Sequence, residues 1–144
     1  AGFGGLIRDL ALCFAFSFRS DIDVVVQGID ENGIERLAEK FDGKINTYGG
    51  CRFSLGRWMF DVWPLEQTGA LKRIGIDRTA SDFTDLFGTT FLNVDAAVYN
   101  LSEPSLDLSP MFVDGIKNLV LDVNFRETPN SRGGSKNPEN DGFH

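Results

Sequence analysis

Gly4-Gly5-Leu6-Ile7-Arg8-Asp9, followed at a short distance by Asp21-Ile22-Asp23-Val24-Val25-Val26, decides how this 144-residue chain is read. A double-glycine turn opens a helix, and a strand then carries carboxylates at positions i and i+2. Successive strand side chains point to opposite faces. Asp21 and Asp23 therefore share one face, and Ile22, Val24 and Val26 the other. Two neighbouring carboxylates repel unless a cation lies between them. Paired hard oxygen ligands suit Mg²⁺ or Mn²⁺, which complete their shells with water and substrate phosphate. The glycine turn and helix start place backbone N–H groups nearby, where an anionic phosphate is favoured.

The order and spacing of these two motifs resemble the nucleotidyltransferase superfamily, in particular the head domain of the poly(A) polymerase and CCA-adding type. That pattern runs Gly-Gly-x-Val-Arg-Asp, then Asp-hydrophobic-Asp on a strand. The resemblance implies a polymerase-β-like fold and transfer of a nucleotidyl group from an NTP to a hydroxyl acceptor, such as a tRNA 3′ end or a protein. It also implies divalent metal held by Asp21, Asp23 and a third carboxylate from a strand further downstream. By the same resemblance Gly4, Gly5, Arg8 and Arg52 line the nucleotide phosphates. Stand-alone bacterial domains of this kind act in toxin–antitoxin or defence pairs, and a protein partner would supply the helical domains that this length leaves out.

Asp61 is the first candidate for the third carboxylate. It is a lone charge in Met59-Phe60-Asp61-Val62-Trp63, and a charge buried without a partner is expensive. The alternatives are an ion pair to Arg52 or Arg8, or an exposed position; Asp95 is the rival ligand. Arg8 either approaches phosphate or faces solvent, and Asp9 satisfies first-turn amides and the helix dipole. Arg52 follows the Tyr48-Gly49-Gly50 turn, which is either a cleft wall or an ordinary hairpin turn. Where the family carries Arg-Arg-Asp-Phe-Thr-Ile-Asn-Ala, this chain has Thr89, Thr90, Phe91, Asn93 and Asp95 in place of Arg, Arg, Asp, Thr and Asn. The basic pair is lost. A non-catalytic binding or regulatory domain of the same fold is therefore the second reading.

Composition narrows the chemistry. The single histidine is His144, which removes Ser-His-Asp and Cys-His machinery and any two-histidine zinc site. Cys13 and Cys51 lack metal-ligand spacing and read as free thiols of a reducing cytoplasm. No apolar run approaches the ~18 residues of a membrane span, and no secretory signal is visible. A net charge of −7 argues against autonomous RNA binding through phosphates but is compatible with a small nucleotide.

The pattern predicts an α+β fold, a mixed sheet with helices packed on it, over 1–125, and a polar disordered tail over 126–144. Helices are expected at 6–14, with Leu6, Leu10, Cys13 and Phe14 as the apolar stripe, at 30–41 ending on Gly43, and from Ser109-Pro110 to Asn118. A short helix is expected within 65–73, and a helical turn capped by Ser81 up to Phe87. Strands are expected at 21–27, 44–48, 51–55, 57–63, 91–101 and 119–125.

Overall fold

The computed structural model describes residues 1–12, 20–68, 80 and 82–124. Cys13, Phe14, Ser81 and the 126–144 segment, on which some of the expectations above fall, lie outside them. The described residues form a mixed seven-stranded sheet in the order β3-β4-β5-β2-β1-β6-β7 with helices packed on it. The strands are β1 (Gly2–Phe3), β2 (Ile22–Val26), β3 (Lys44–Ile45), β4 (Cys51–Leu55), β5 (Trp58–Pro64), β6 (Ala97–Asn100) and β7 (Ser105–Leu108). The helices are α1 (Gly5–Ala11), α2 (Glu31–Phe41) and α3 (Pro110–Asn118). No described helix is long and apolar enough to cross a membrane.

The β2–β5 pair is parallel, with Asp23 opposite Asp61 and Val25 opposite Trp63. Its other neighbours, β1 on β2 and β4 on β5, are antiparallel. Alternation then sorts the side chains. Val24, Val26, Phe60 and Val62 join Cys51 and Phe53 in a core closed by Ile34 and Ala38 of α2. The Phe53 ring stacks between Phe41 and Phe60, with centroids 4.6 and 5.4 Å away. On the opposite face Val25 and Val98 pack with Leu65, Ala80 and Leu86, and Phe3 meets Trp63 edge-on at 5.5 Å. Ile7 of α1 and Phe112 of α3 close over Ala97 in a third cluster.

Helix boundaries follow local chemistry. Asp30 caps α2 by accepting from the Gly33 amide at 2.8 Å, and Ser109 caps α3 by accepting from Phe112 at 3.1 Å, with Pro110 in the first turn. The left-handed residue that ends α2 is Asp42 (φ 51°) rather than Gly43. Gly43 is needed for a different reason. A Cβ there would meet the Arg52 carbonyl at 2.9 Å and Phe53 Cβ at 3.1 Å. The first helix begins one residue earlier than expected, at Gly5. Its buried residue is Ile7, while Leu10 is 55% exposed, because the face toward Ala97 and Phe112 sets the stripe.

Other expectations are corrected. The segment expected as a strand at 44–48 pairs only at Lys44–Ile45, because Asn46 Oδ1 accepts from the Tyr48 and Gly50 amides and turns the chain. The helical turn near 81–87 is a 3₁₀ helix over Phe83–Thr89 capped by Asp82 in a capping box. The continuous strand expected at 91–101 is broken: Asn93–Asp95 forms a 3₁₀ turn and only Ala97–Asn100 is strand. Phe91 is 63% exposed. Within 119–124 the pairing is a single bridge, Leu92 to Val123, and the buried Asn93 amide holds this segment through Val120 O at 3.0 Å and the Asp122 amide at 2.9 Å. The edge strand β7 lay unrecognised because its Ser-Leu-Asp-Leu alternation is short and wholly exposed.

The two residues at the α2 end make a paired test of this packing. Gly43→Ala should lower unfolding stability by about 1–3 kcal/mol, because β4 must shift to admit the methyl group. Asp42→Gly should be neutral or stabilising by up to about 1 kcal/mol, because it relieves a left-handed conformation. Urea unfolding of both variants checks this; a harmless Gly43→Ala would show that α2 and β4 are not packed as described.

Candidate functional site

The carboxylates meet where β2 leaves the loop at residue 21. Asp21 immediately precedes the strand and Asp23 is its second residue; their shared face also carries Val25, buried at 0% exposure. The parallel register sets Asp61 directly beside Asp23, on the same face. Asp61 in turn lies opposite Arg52 of β4. Arg52 Nε donates to Asp61 Oδ1 at 2.8 Å, and Arg52 Nη2 donates both to Asp61 Oδ2 and, at 2.9 Å, to Asp21 Oδ2. One guanidinium thus bridges two of the three carboxylates. The hydrogen bond to Asp61, then its charge, holds Arg52 firmly protonated. Of the alternatives weighed for Asp61, the ion pair to Arg52 is formed, and the strand register also sets Asp61 beside Asp23.

Asp23 is the member left without such a partner; no hydrogen bond or ion pair to its carboxylate is formed among the described residues. Burial first, and then the charges of Asp61 and Asp21, push its carboxyl up to about 6, with Arg52 opposing. The shift is that of a carboxyl partly buried beside two other carboxylates.

The glycine turn runs beside Asp23. Gly4 has φ 75°, and a Cβ placed on it would lie 3.8 Å from Asp23 Oδ2, so the turn runs along the carboxylate with no side chain between. At Gly5 a Cβ would sit 3.1 Å from Arg8 Nη2; its absence lets the arginine fold back over the turn. Arg8 then donates from Nε to Asp9 at 2.9 Å and from Nη1 to Asp95 at 2.7 Å. Burial raises the Asp95 carboxyl, against the pull of Arg8. Asp95 is thus held in an ion pair on the 93–95 turn rather than on a strand, and Asp9 binds Arg8. The Gly4 amide donates to Ala97 O at 3.3 Å, so of the two glycines only Gly5 has an amide outside that bond.

Thr89 and Thr90, at the positions of the family's Arg-Arg pair, are structural. Thr89 Oγ1 donates to Leu86 O at 2.7 Å. Thr90 is buried and engages the Phe87 and Leu92 carbonyls. Cys51, the first residue of β4, is fully buried, and burial pushes its thiol up. Lys44, opposite Arg52 in register, was not singled out from sequence; only the strand pairing brings it to the site.

Among the described residues no three His, Cys, Asp or Glu side chains are gathered into a ready metal centre. The donor set is nonetheless all carboxylate, which suits a hard divalent cation. Arg52 now supplies the countercharge that such a cation would supply.

No protein-family model matches the chain, and no curated protein matches it. A solved structure described as a tRNA-processing enzyme, in an apo form, superimposes with a TM-score of 0.58 at 17% identity. The match covers 85% of this chain and 33% of that one, so the chain spans about a third of that protein's length. The likeness is one of fold.

The Asp23 environment has a pH signature. Because its carboxyl is raised from 3.8 to about 6 in the folded state, the cost of ionising it is absent below 3.8 and complete above about 6. Asp23→Asn should therefore stabilise the protein near pH 7, by about 1 kcal/mol after allowance for solvent screening, and the gain should vanish toward pH 4. Thermal melts of both proteins from pH 4 to pH 8 measure the difference; a gain that persists at pH 4 contradicts the proposed origin.

Proposed function

We propose that this chain is a nucleotidyltransferase-fold domain of polymerase-β-like type that moves a nucleotidyl group from an NTP to a hydroxyl acceptor. The observation that carries the reading is the parallel register setting Asp61 beside Asp23, with Asp21 on the same face and the Gly4-Gly5 turn against them. Asp21, Asp23 and Asp61 would hold Mg²⁺ or Mn²⁺. Bound there, the cation would make the acceptor hydroxyl more acidic and neutralise charge on the triphosphate.

The remaining work belongs to the chain's own groups. Asp23, whose proton is held up to about 6, is the carboxylate that gains most from an incoming positive charge. The bare backbone of the glycine turn lets a phosphate approach close to it. Arg8 is anchored by Asp9 and Asp95, so it is a fixed cationic wall rather than a mobile clamp. The fold likeness to a tRNA-processing enzyme supports testing a tRNA 3′ end as acceptor, with a protein acceptor as the other arm. The likeness spans about a third of that enzyme's length, so its whole activity is not carried over to this chain.

A second reading, a non-catalytic domain of the same fold, draws on two specific observations. Arg52 already neutralises two of the carboxylates, and threonines committed to local turns replace the nucleotide-facing arginines. Incubation with each α-labelled NTP, Mg²⁺ or Mn²⁺, and tRNA or protein acceptors separates the readings. The catalytic reading expects label on an acceptor and none with Asp21→Asn/Asp23→Asn. Asp61→Asn should slow transfer at least ~100-fold, mainly in turnover, while Asp95→Asn should leave it nearly unchanged. A wild-type chain that neither labels an acceptor nor gains melting temperature with millimolar metal and NTP would overturn the catalytic reading.

A further inference from the structure

Arg52 lies outboard of the carboxylates on an open surface. Its side chain is 52% exposed, and among the described residues its hydrogen bonds go to Asp21 and Asp61. Cys51 and Phe53, on either side of it in sequence, are buried against α2, so the backbone beneath Arg52 is anchored while its head group stands at the surface. Lys44 stands opposite it in the β3–β4 register and is also exposed, and Ser54 follows on the same face. Two like charges across a strand pair disfavour each other. An anion lying between the two would relieve that repulsion.

We propose that Arg52 is an exchangeable internal counter-ion: its guanidinium and a divalent cation compete for Asp21 and Asp61, and cation binding releases Arg52 toward Lys44. The inference rests on the metal-dependent reading above and adds its regulation. The exchange is one of ions alone, with the guanidinium leaving the two carboxylates as the cation enters. The two would contend for the same atoms, because Arg52 bonds both oxygens of Asp61 and one of Asp21. Charge favours the exchange, since a divalent ion could also ligate Asp23, on which Arg52 acts only through space and without a hydrogen bond. Once displaced, Arg52 would stand beside Lys44 on the exposed β3–β4 face, and that pair of cations would attract the phosphates of an incoming nucleotide. An empty site is thus kept neutralised, and the phosphate-binding charge becomes available only when metal is loaded.

Mn²⁺ titration of the purified chain without nucleotide, followed by the loss of the free-ion spin-resonance signal, tests the competition directly. Arg52→Gln removes the competitor and should bind Mn²⁺ about tenfold more tightly than wild type, equivalent to about 1.4 kcal/mol. Arg52→Lys, which keeps the charge but cannot fork between two carboxylates, should fall between them. A merely structural arginine predicts the reverse, unchanged or weaker binding in both folded variants, and that result overturns the inference while leaving the metal site standing. Absence of Mn²⁺ binding in wild type and variants alike overturns the metal-dependent reading itself, and the inference with it. Should the variants fail to fold, the wild-type Arg52 Nε–H resonance decides. It should be slow to exchange without cation and lose its protection on Mg²⁺ addition; protection that persists at saturating Mg²⁺ contradicts the exchange.

Discussion

The arrangement depends on one strand pairing. When β2 and β5 run parallel with Asp23 opposite Asp61, three carboxylates are forced onto a small area of one sheet face. Such an area is unfavourable on its own, and the rest of the local structure answers it. Arg52 arrives from the neighbouring antiparallel strand and ties Asp61 to Asp21. Arg8 reaches across the glycine turn and holds Asp95, so that further carboxylate does not add unopposed charge. What is left is Asp23, half-buried and reluctant to ionise. Among the described residues Asp23 is thus the carboxylate of this group that no ion pair relieves.

The hydrophobic layers explain why the register cannot slip. Val24, Val26, Phe60 and Val62 are committed to the α2 side, and Val25 and Trp63 to the other. A shift of β5 by one residue would turn Asp61 into the α2 core and lift Val62 out of it. The core therefore fixes the carboxylate spacing. Gly43 extends this link, because the space it leaves lets β4 run close under α2 with Arg52 facing the aspartates.

Much of this was legible in the residues. The Asp21/Asp23 face, the lone charge of Asp61 in an apolar strand, the helix starts near Asp30 and at Ser109-Pro110 and the mixed sheet all follow from short-range patterns. Other features left no such pattern. Whether Asp61 or Asp95 stands beside Asp23 is a matter of which distant strand pairs with β2, and alternation within one strand says nothing of its neighbour. The 91–101 segment looked continuous because its apolar content is high, yet the Asn93 side chain bonds the 120–122 backbone and a 3₁₀ turn results. Nor could the stripe of the first helix be read, since Ile7 is buried by Phe112, more than a hundred residues away in the chain. Arg52 was noticed for its glycine-rich turn, but its hold on two carboxylates emerges only from the order of β4, β5 and β2.

The most direct test is anomalous diffraction from a crystal of the chain grown with Mn²⁺ and a non-hydrolysable NTP. The account predicts a manganese peak coordinated by Asp23 together with Asp21 or Asp61, with the Arg52 guanidinium moved off those carboxylates. Density that shows no ion there, with Arg52 still bridging Asp21 and Asp61 at saturating metal and nucleotide, would contradict it.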